Sequence, residues 1–122
     1  MRLFEVHLEV EDIDRSLAFY QAILPHEKLH RWKDGSAVAL VLEDGAALGL
    51  WKKGKHGRFN GRAGEHVHFA FSIADEDYEQ HKSRVVALGV EIFEMSEGQD
   101  RSIYFFAPDG HQGEFYTASR FA

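Results

Sequence analysis

From Leu3 to Val10 the chain alternates, so that Phe4, Val6, Leu8 and Val10 share one face of a strand and Leu3, Glu5, His7 and Glu9 share the other. The first set is a core face, and the second is polar, facing either solvent or a hydrated cavity. A helix is expected next, capped by Asp12 or Asp14, with Ile13, Leu17, Tyr20 and Leu24 on one stripe and Pro25 forbidding its continuation. Apolar runs near Leu29 to Trp32, Ala37 to Leu42 and Ala46 to Trp51 follow, separated by the turn dipeptides Asp34-Gly35 and Asp44-Gly45. The first half therefore reads βαβββ.

The second half reads in the same order. A strand is expected from His66 to Ile73, then a helix from Asp75 that presents Tyr78, Val85 and Leu88 and stops at Gly89. Strands near Val90 to Phe93, Ser102 to Phe106 and Gly113 to Thr117 complete it, and alternation gives a polar face carrying His66, His68, Gln112, Glu114 and Tyr116.

The halves are copies. Val6-His7-Leu8 recurs as Val67-His68-Phe69, an offset of 68 − 7 = 61 residues, and Asp14 recurs as Asp75 at the same offset. Asp44-Gly45 leads to Gly49 as Asp109-Gly110 leads to Glu114, so the second half offers a carboxylate where the first offers no side chain. Two histidines and one carboxylate are a competent set of metal ligands. The fold class expected is α+β, with two tandem βαβββ modules forming curved sheets around a cavity. One domain spans residues 1–122: module one covers about 1–51, a basic Gly-rich linker 52–65, and module two 66–122.

Composition removes several function classes. With 14 basic against 20 acidic residues and a net charge of −6, the positive field needed for phosphate-backbone binding is missing, so no nucleic-acid partner is expected. The absence of cysteine excludes disulfides, thiolate metal sites and a protein thiol nucleophile. No apolar run reaches the length of a membrane span, and Met1 to His7 lacks the pattern of a secretory signal, so a cytoplasmic location is expected. Lys52, Lys53, Lys55, Arg58 and Arg62 make the linker basic; it is either a soluble connector or an anion-gathering rim.

The stretches Val6-His7-Leu8, Ile13 to Tyr20, His68 to Phe71 and Ser102 to Glu114, in this order and spacing, resemble the vicinal oxygen chelate superfamily from end to end. That group includes glyoxalase I, extradiol dioxygenases, fosfomycin-resistance enzymes and bleomycin-binding proteins. The resemblance implies that His7, His68 and Glu114 bind one divalent metal ion, with Mn, Fe, Co, Ni and Zn all compatible with such ligands. Glyoxalase I carries a fourth protein ligand where this chain has Gly49, which leaves a three-ligand site with open positions.

Arg101-Ser-Ile-Tyr-Phe105 and Ser96-Glu97-Gly98 are similar to segments of fosfomycin-modifying enzymes, which implies substrate contacts from Arg101, Ser102 and Tyr104. Glu9 stands where that family has a small hydroxyl residue; it is either a solvated strand residue or a general base or extra ligand beside the metal. Tyr104 is either a catalytic hydroxyl or an aromatic filling the cup, and His66 is placed to hydrogen-bond behind His68. Trp51 is expected in the core, at a dimer interface or against the substrate.

The function implied is a divalent-metal-dependent enzyme acting on a small oxygen-chelating substrate, with fosfomycin-type epoxide opening by a thiol cosubstrate or water. The alternatives are a metal-free binding protein of the bleomycin-resistance type and a single-domain extradiol dioxygenase. A homodimer is expected, with ligands drawn from one chain or from two.

Overall fold

The computed structural model describes residues 1–54 and 67–117. The chain divides into two compact units, Met1–Gly64 and Glu65–Ala122. His66 and most of the basic stretch, including Lys55, Arg58 and Arg62, lie outside the described residues.

In the first unit β1 (Glu5–Val10) is followed by α1 (Ile13–Ile23), β2 (His26–Arg31), β3 (Ala37–Leu42) and β4 (Ala47–Lys52). Asp12 caps α1, its carboxylate accepting from the backbone N–H of Arg15 at 3.1 Å, and satisfies a donor that the first helical turn leaves open. The sheet order is β1-β4-β3-β2, with β1 parallel to β4 and the other pairs antiparallel. The βα crossover makes the parallel pairing possible, because two neighbouring parallel strands cannot be joined by a hairpin.

One face of this sheet meets α1. Leu8, Val10, Val38, Leu40, Leu48 and Leu50 are buried together with Leu17, Tyr20 and Ile23 of the helix. Each such side chain removed from water contributes about 1.5–3 kcal/mol, so this layer is what holds the unit together. At the β3–β4 turn Gly45 adopts φ +85°, and Asp44 accepts from the N–H of Ala46 at 2.9 Å, as the Asp-Gly dipeptide leads one to expect.

The second unit repeats the arrangement with β5 (His68–Ser72), α2 (Tyr78–Ala87), β6 (Ile92–Glu97), β7 (Asp100–Phe106) and β8 (Gln112–Tyr116), in the sheet order β5-β8-β7-β6. A single 3₁₀ turn over Asp75–Asp77 precedes α2, so the helix starts three residues later than the sequence suggests. The core face carries Ile103, Phe105 and Phe115, with Tyr78, His81 and Val85 of α2 buried as well. His81 lies on Phe115 with ring centroids 4.7 Å apart.

Two sequence expectations shift here. Leu88 is 39 % exposed, because α2 ends at Ala87 and Gly89 turns the chain at φ +71° before Leu88 can complete the stripe. Strand β6 starts at Ile92 and runs to Glu97, later and longer than the apolar run Val90 to Phe93 indicates, because pairing with β7 from Ile92↔Phe105 to Glu97↔Asp100 extends it.

Among the described residues no helix is long and apolar enough to cross a membrane.

Candidate functional site

The faces turned away from the helices hold the candidate chemistry. In the first unit β1 and β4 pair Glu5 with Ala47, His7 with Gly49 and Glu9 with Trp51, which puts Glu5, His7, Glu9 and Trp51 on one face. Trp51 Nε1–H donates to His7 Nδ1 at 2.6 Å, and His7 Nε2 lies 3.0 Å from Glu5 Oε2. An indole N–H can only donate, so Nδ1 is the acceptor, and the proton of a neutral imidazole sits on Nε2 and points at Glu5.

The ring needs room to lie there, and Gly49 supplies it. A β-carbon at Gly49 would overlap the His7 imidazole at Nδ1 and Cε1. Beyond His7 the aromatic surface continues through Trp51, Trp32 and His30, with centroid separations of 5.4 Å and 4.7 Å. Glu9 is half-buried on the same face, two residues along from His7.

In the second unit β5, β8, β7 and β6 align Ala70 with Glu114, Glu114 with Tyr104, and Tyr104 with Phe93, while His68 pairs with Gln112. His68, Glu114, Ser102, Tyr104 and Phe93 therefore share a face. His68 Nε2 is 3.4 Å from Glu114 Oε1, and Ser102 Oγ donates to Glu114 Oε2 at 2.5 Å. His68 and Tyr104 have ring centroids 6.1 Å apart, and Tyr104 stacks on Phe93 at 4.6 Å. Phe93 and Met95, both exposed, extend this wall and were not singled out from sequence; their i, i+2 spacing in β6 is the signal that places them there.

The register departs from a perfect repeat. His7 stands opposite Gly49, whereas His68 stands opposite Gln112, two residues short of Glu114. The two last strands keep their place in the hairpins, with Gly49 opposite Ala39 and Glu114 opposite Tyr104. The first strand of each unit is what slides.

Arg101 lies elsewhere. Strand alternation turns it to the face opposite Ser102 and Tyr104, where its Nε pairs with Asp75 at 3.0 Å, its Nη1 is 3.8 Å from Glu79, and its guanidinium sits 3.9 Å from the centre of the Tyr78 ring. Tyr78 donates to Glu94 Oε1 at 2.8 Å, and Lys82 Nζ meets Glu94 Oε2 at 3.1 Å. Burial, reinforced by Glu94, pushes the Tyr78 phenol well above its usual range. The Tyr78 hydrogen bond and then Lys82 hold the Glu94 carboxyl below its ordinary value.

The donors suit a divalent cation. Imidazole and carboxylate ligands fit first-row metals, and a carboxylate as buried as Glu114, with one oxygen turned to His68, is a group that a cation would satisfy. Among the described residues no group of three or more His, Asp or Glu is arranged so that it could hold a metal ion.

This fold and this face place the chain in the vicinal oxygen chelate superfamily: it belongs to the glyoxalase-like domain family, which it matches over residues 5–115. Within that family it is similar to fosfomycin resistance proteins. It is 28% identical over 116 residues to the glutathione transferase FosA of Serratia marcescens, covering 92% of this chain and 77% of that protein. It is 30% identical to the metallothiol transferase FosB of Lysinibacillus sphaericus, over 90% of this chain and 77% of the relative. The crystal structure of the fosfomycin resistance protein FosX from Listeria monocytogenes superposes with a TM-score of 0.76 at 26% identity, covering 96% of this chain and 90% of that one.

Proposed function

We propose that this chain is a divalent-metal-dependent enzyme of the fosfomycin-modifying type, acting on a small substrate that presents two neighbouring oxygens. The observation that carries this reading is the buried Glu114 carboxylate, tied by Ser102 and facing His68 on a strand face that also bears Tyr104. His7, His68 and Glu114 would hold the ion. When bound, it would supply Lewis acidity to the substrate oxygens. The names of the relatives, glutathione transferase and metallothiol transferase, support a thiol as the second substrate, with water as the other nucleophile.

The chain's own residues would do the rest. Glu9, half-buried beside His7 on β1, takes a proton from the attacking thiol or water, and the Tyr104 hydroxyl orients the substrate next to His68. The aromatic surfaces of Trp51 and Phe93 exclude water from the reacting atoms. A homodimer in which His7 of one chain joins His68 and Glu114 of another would bring the three donors together.

The test is Mn²⁺ titration by calorimetry, followed by assay of fosfomycin with glutathione, with a small thiol and with water. The expected result is one ion per chain, lost in His68→Ala and Glu114→Gln, and turnover that needs the ion. Retention of full activity by both variants in a chelator would overturn the reading. A monomer in light scattering would overturn the shared site.

A specific observation favours a second reading, a metal-free binding protein. Both His7 nitrogens are already engaged, by Trp51 and Glu5, beside an aromatic surface formed by Trp51, Trp32 and His30. Wild-type protein that takes up no Mn²⁺ but binds a planar aromatic ligand would select it.

A further inference from the structure

We infer that Phe93 and Met95 are specificity-determining residues, and that the oxygen-chelating substrate of this site carries an aryl substituent that lies on them. This rests on the metal reading above. It adds to the substrate contacts that the fosfomycin resemblance implies for Ser102 and Tyr104.

Strand register sets both side chains beside the candidate ligands. Phe93 pairs with Tyr104 and Tyr104 with Glu114, so these three residues form one row across β6, β7 and β8. Met95 pairs with Ser102 in the next row. Neighbouring strands lie about 4.8 Å apart, so a ligand held at Glu114 reaches β6 by extending about 10 Å along the row. A substituent the size of a phenyl ring fills much of that span, and a methyl group fills little of it.

The wall that such a substituent would meet is apolar and open. Phe93 is 40% and Met95 56% exposed. A lone exposed apolar side chain needs no explanation, but these two stand on one face, two residues apart, against further aromatic rings. The Phe93 ring lies 8° from parallel to Tyr104 at 4.6 Å, and Phe106 stands 6.1 Å from Phe93. Rings held by one another present a ready face to a further ring, and the Met95 thioether is polarizable and packs well against aromatic edges. An aromatic group therefore gains those contacts as well as the buried area that an aliphatic chain would gain. Charge agrees with this choice. Arg101 and Lys82 are engaged on the opposite face by Asp75, Glu79 and Glu94, so neither offers a counter-charge to a substrate group lying over Phe93.

The experiment is calorimetric titration of phenylphosphonate and of methylphosphonate, which share an anionic head and differ in the substituent, into Mn²⁺-loaded wild type, Phe93→Ala and Met95→Ala. Circular dichroism melts identify folded variants, and Met95→Ala decides alone if Phe93→Ala does not fold. We expect wild type to favour phenylphosphonate by about tenfold or more, from the added apolar surface buried. Each folded variant should lose most of that preference and bind Mn²⁺ as tightly as wild type. Equal affinities in wild type, or a preference that survives in either folded variant, would overturn the inference and leave the metal reading standing. The same holds if the variants lose mass in light scattering and keep the preference, since a second copy of the chain would then be what covers the wall. A wild type that takes up no Mn²⁺ would remove both.

Discussion

The His7 imidazole lies across the backbone of Gly49, in space that any side chain at that position would fill. The absence of a side chain in β4 is thus a requirement of β1. Gly49→Ala should push the ring off Trp51 Nε1 and cost about 1–3 kcal/mol through overpacking. Thermal melts should show the loss, and Mn²⁺ titration should show weakened binding. A variant with wild-type melting and wild-type affinity would mean that His7 has another resting place.

Gly113 has the same relation to Phe105 on the core side of β8, where an added β-carbon would overlap the ring. Phe105 is fully buried, so it has nowhere to turn, and Gly113→Ala is expected to destabilise by about 1–3 kcal/mol or more. Urea unfolding checks this, and an unchanged midpoint would contradict the packing described.

Arg101→Gln should lower stability by about 0.5–1 kcal/mol, through loss of the Tyr78 ring contact and the partly exposed pairs with Asp75 and Glu79. Substrate affinity should hold, since the side chain faces away from Ser102 and Tyr104. Measured weakening of fosfomycin binding with no change in melting temperature would reverse that assignment.

His81 makes stability depend on pH. Burial first, and then the charge of Arg84, keeps its imidazole below the ordinary value of 6.5, and its Nδ1 has no hydrogen-bond partner. The unfolded chain accordingly takes up this proton first as the pH falls. The stability associated with His81 is whole above about pH 6.5 and declines as the pH drops below it toward the folded value. Urea midpoints measured from about pH 7.5 to about pH 5.5 should fall more steeply for wild type than for His81→Phe. Parallel slopes would show that His81 is not the group responsible.

Tyr78→Phe removes the donor to Glu94 and should cost about 1 kcal/mol. The Glu94 carboxyl should then titrate closer to its ordinary value of 4.5, which side-chain NMR can follow. Because that carboxyl is depressed in the folded chain, its contribution is present above about pH 4.5 and is lost as the pH falls through the folded value.

Much of this was readable from period and repetition. Alternation in Leu3 to Val10 placed His7 and Glu9 on one face, the offset of 61 residues predicted a second βαβββ with His68, and the repeated Asp-Gly pair, with alternation, put Glu114 on its polar face. The same alternation already separates Arg101 from Ser102 and Tyr104, although the resemblance of the whole segment groups them. The contacts that decide the chemistry depend on register. The Trp51 to His7 bond joins residues 44 positions apart across a parallel pair, and the two-residue slide of β5 against β8 sets which neighbour each histidine meets. No local pattern encodes either. His81 was missed because a polar residue on a helix reads as solvated, whereas the flat ring here packs on Phe115.

Among the described residues, the strands that carry the two histidines, β1 and β5, each have a bonded neighbour on one side only. A further strand laid along either rim would touch the donor-bearing backbone before it touched any core residue. Whatever pairs with those rims can therefore tune the imidazoles while both helix-backed layers stay unaltered, so that partner choice and reactivity would be adjusted by the same few residues.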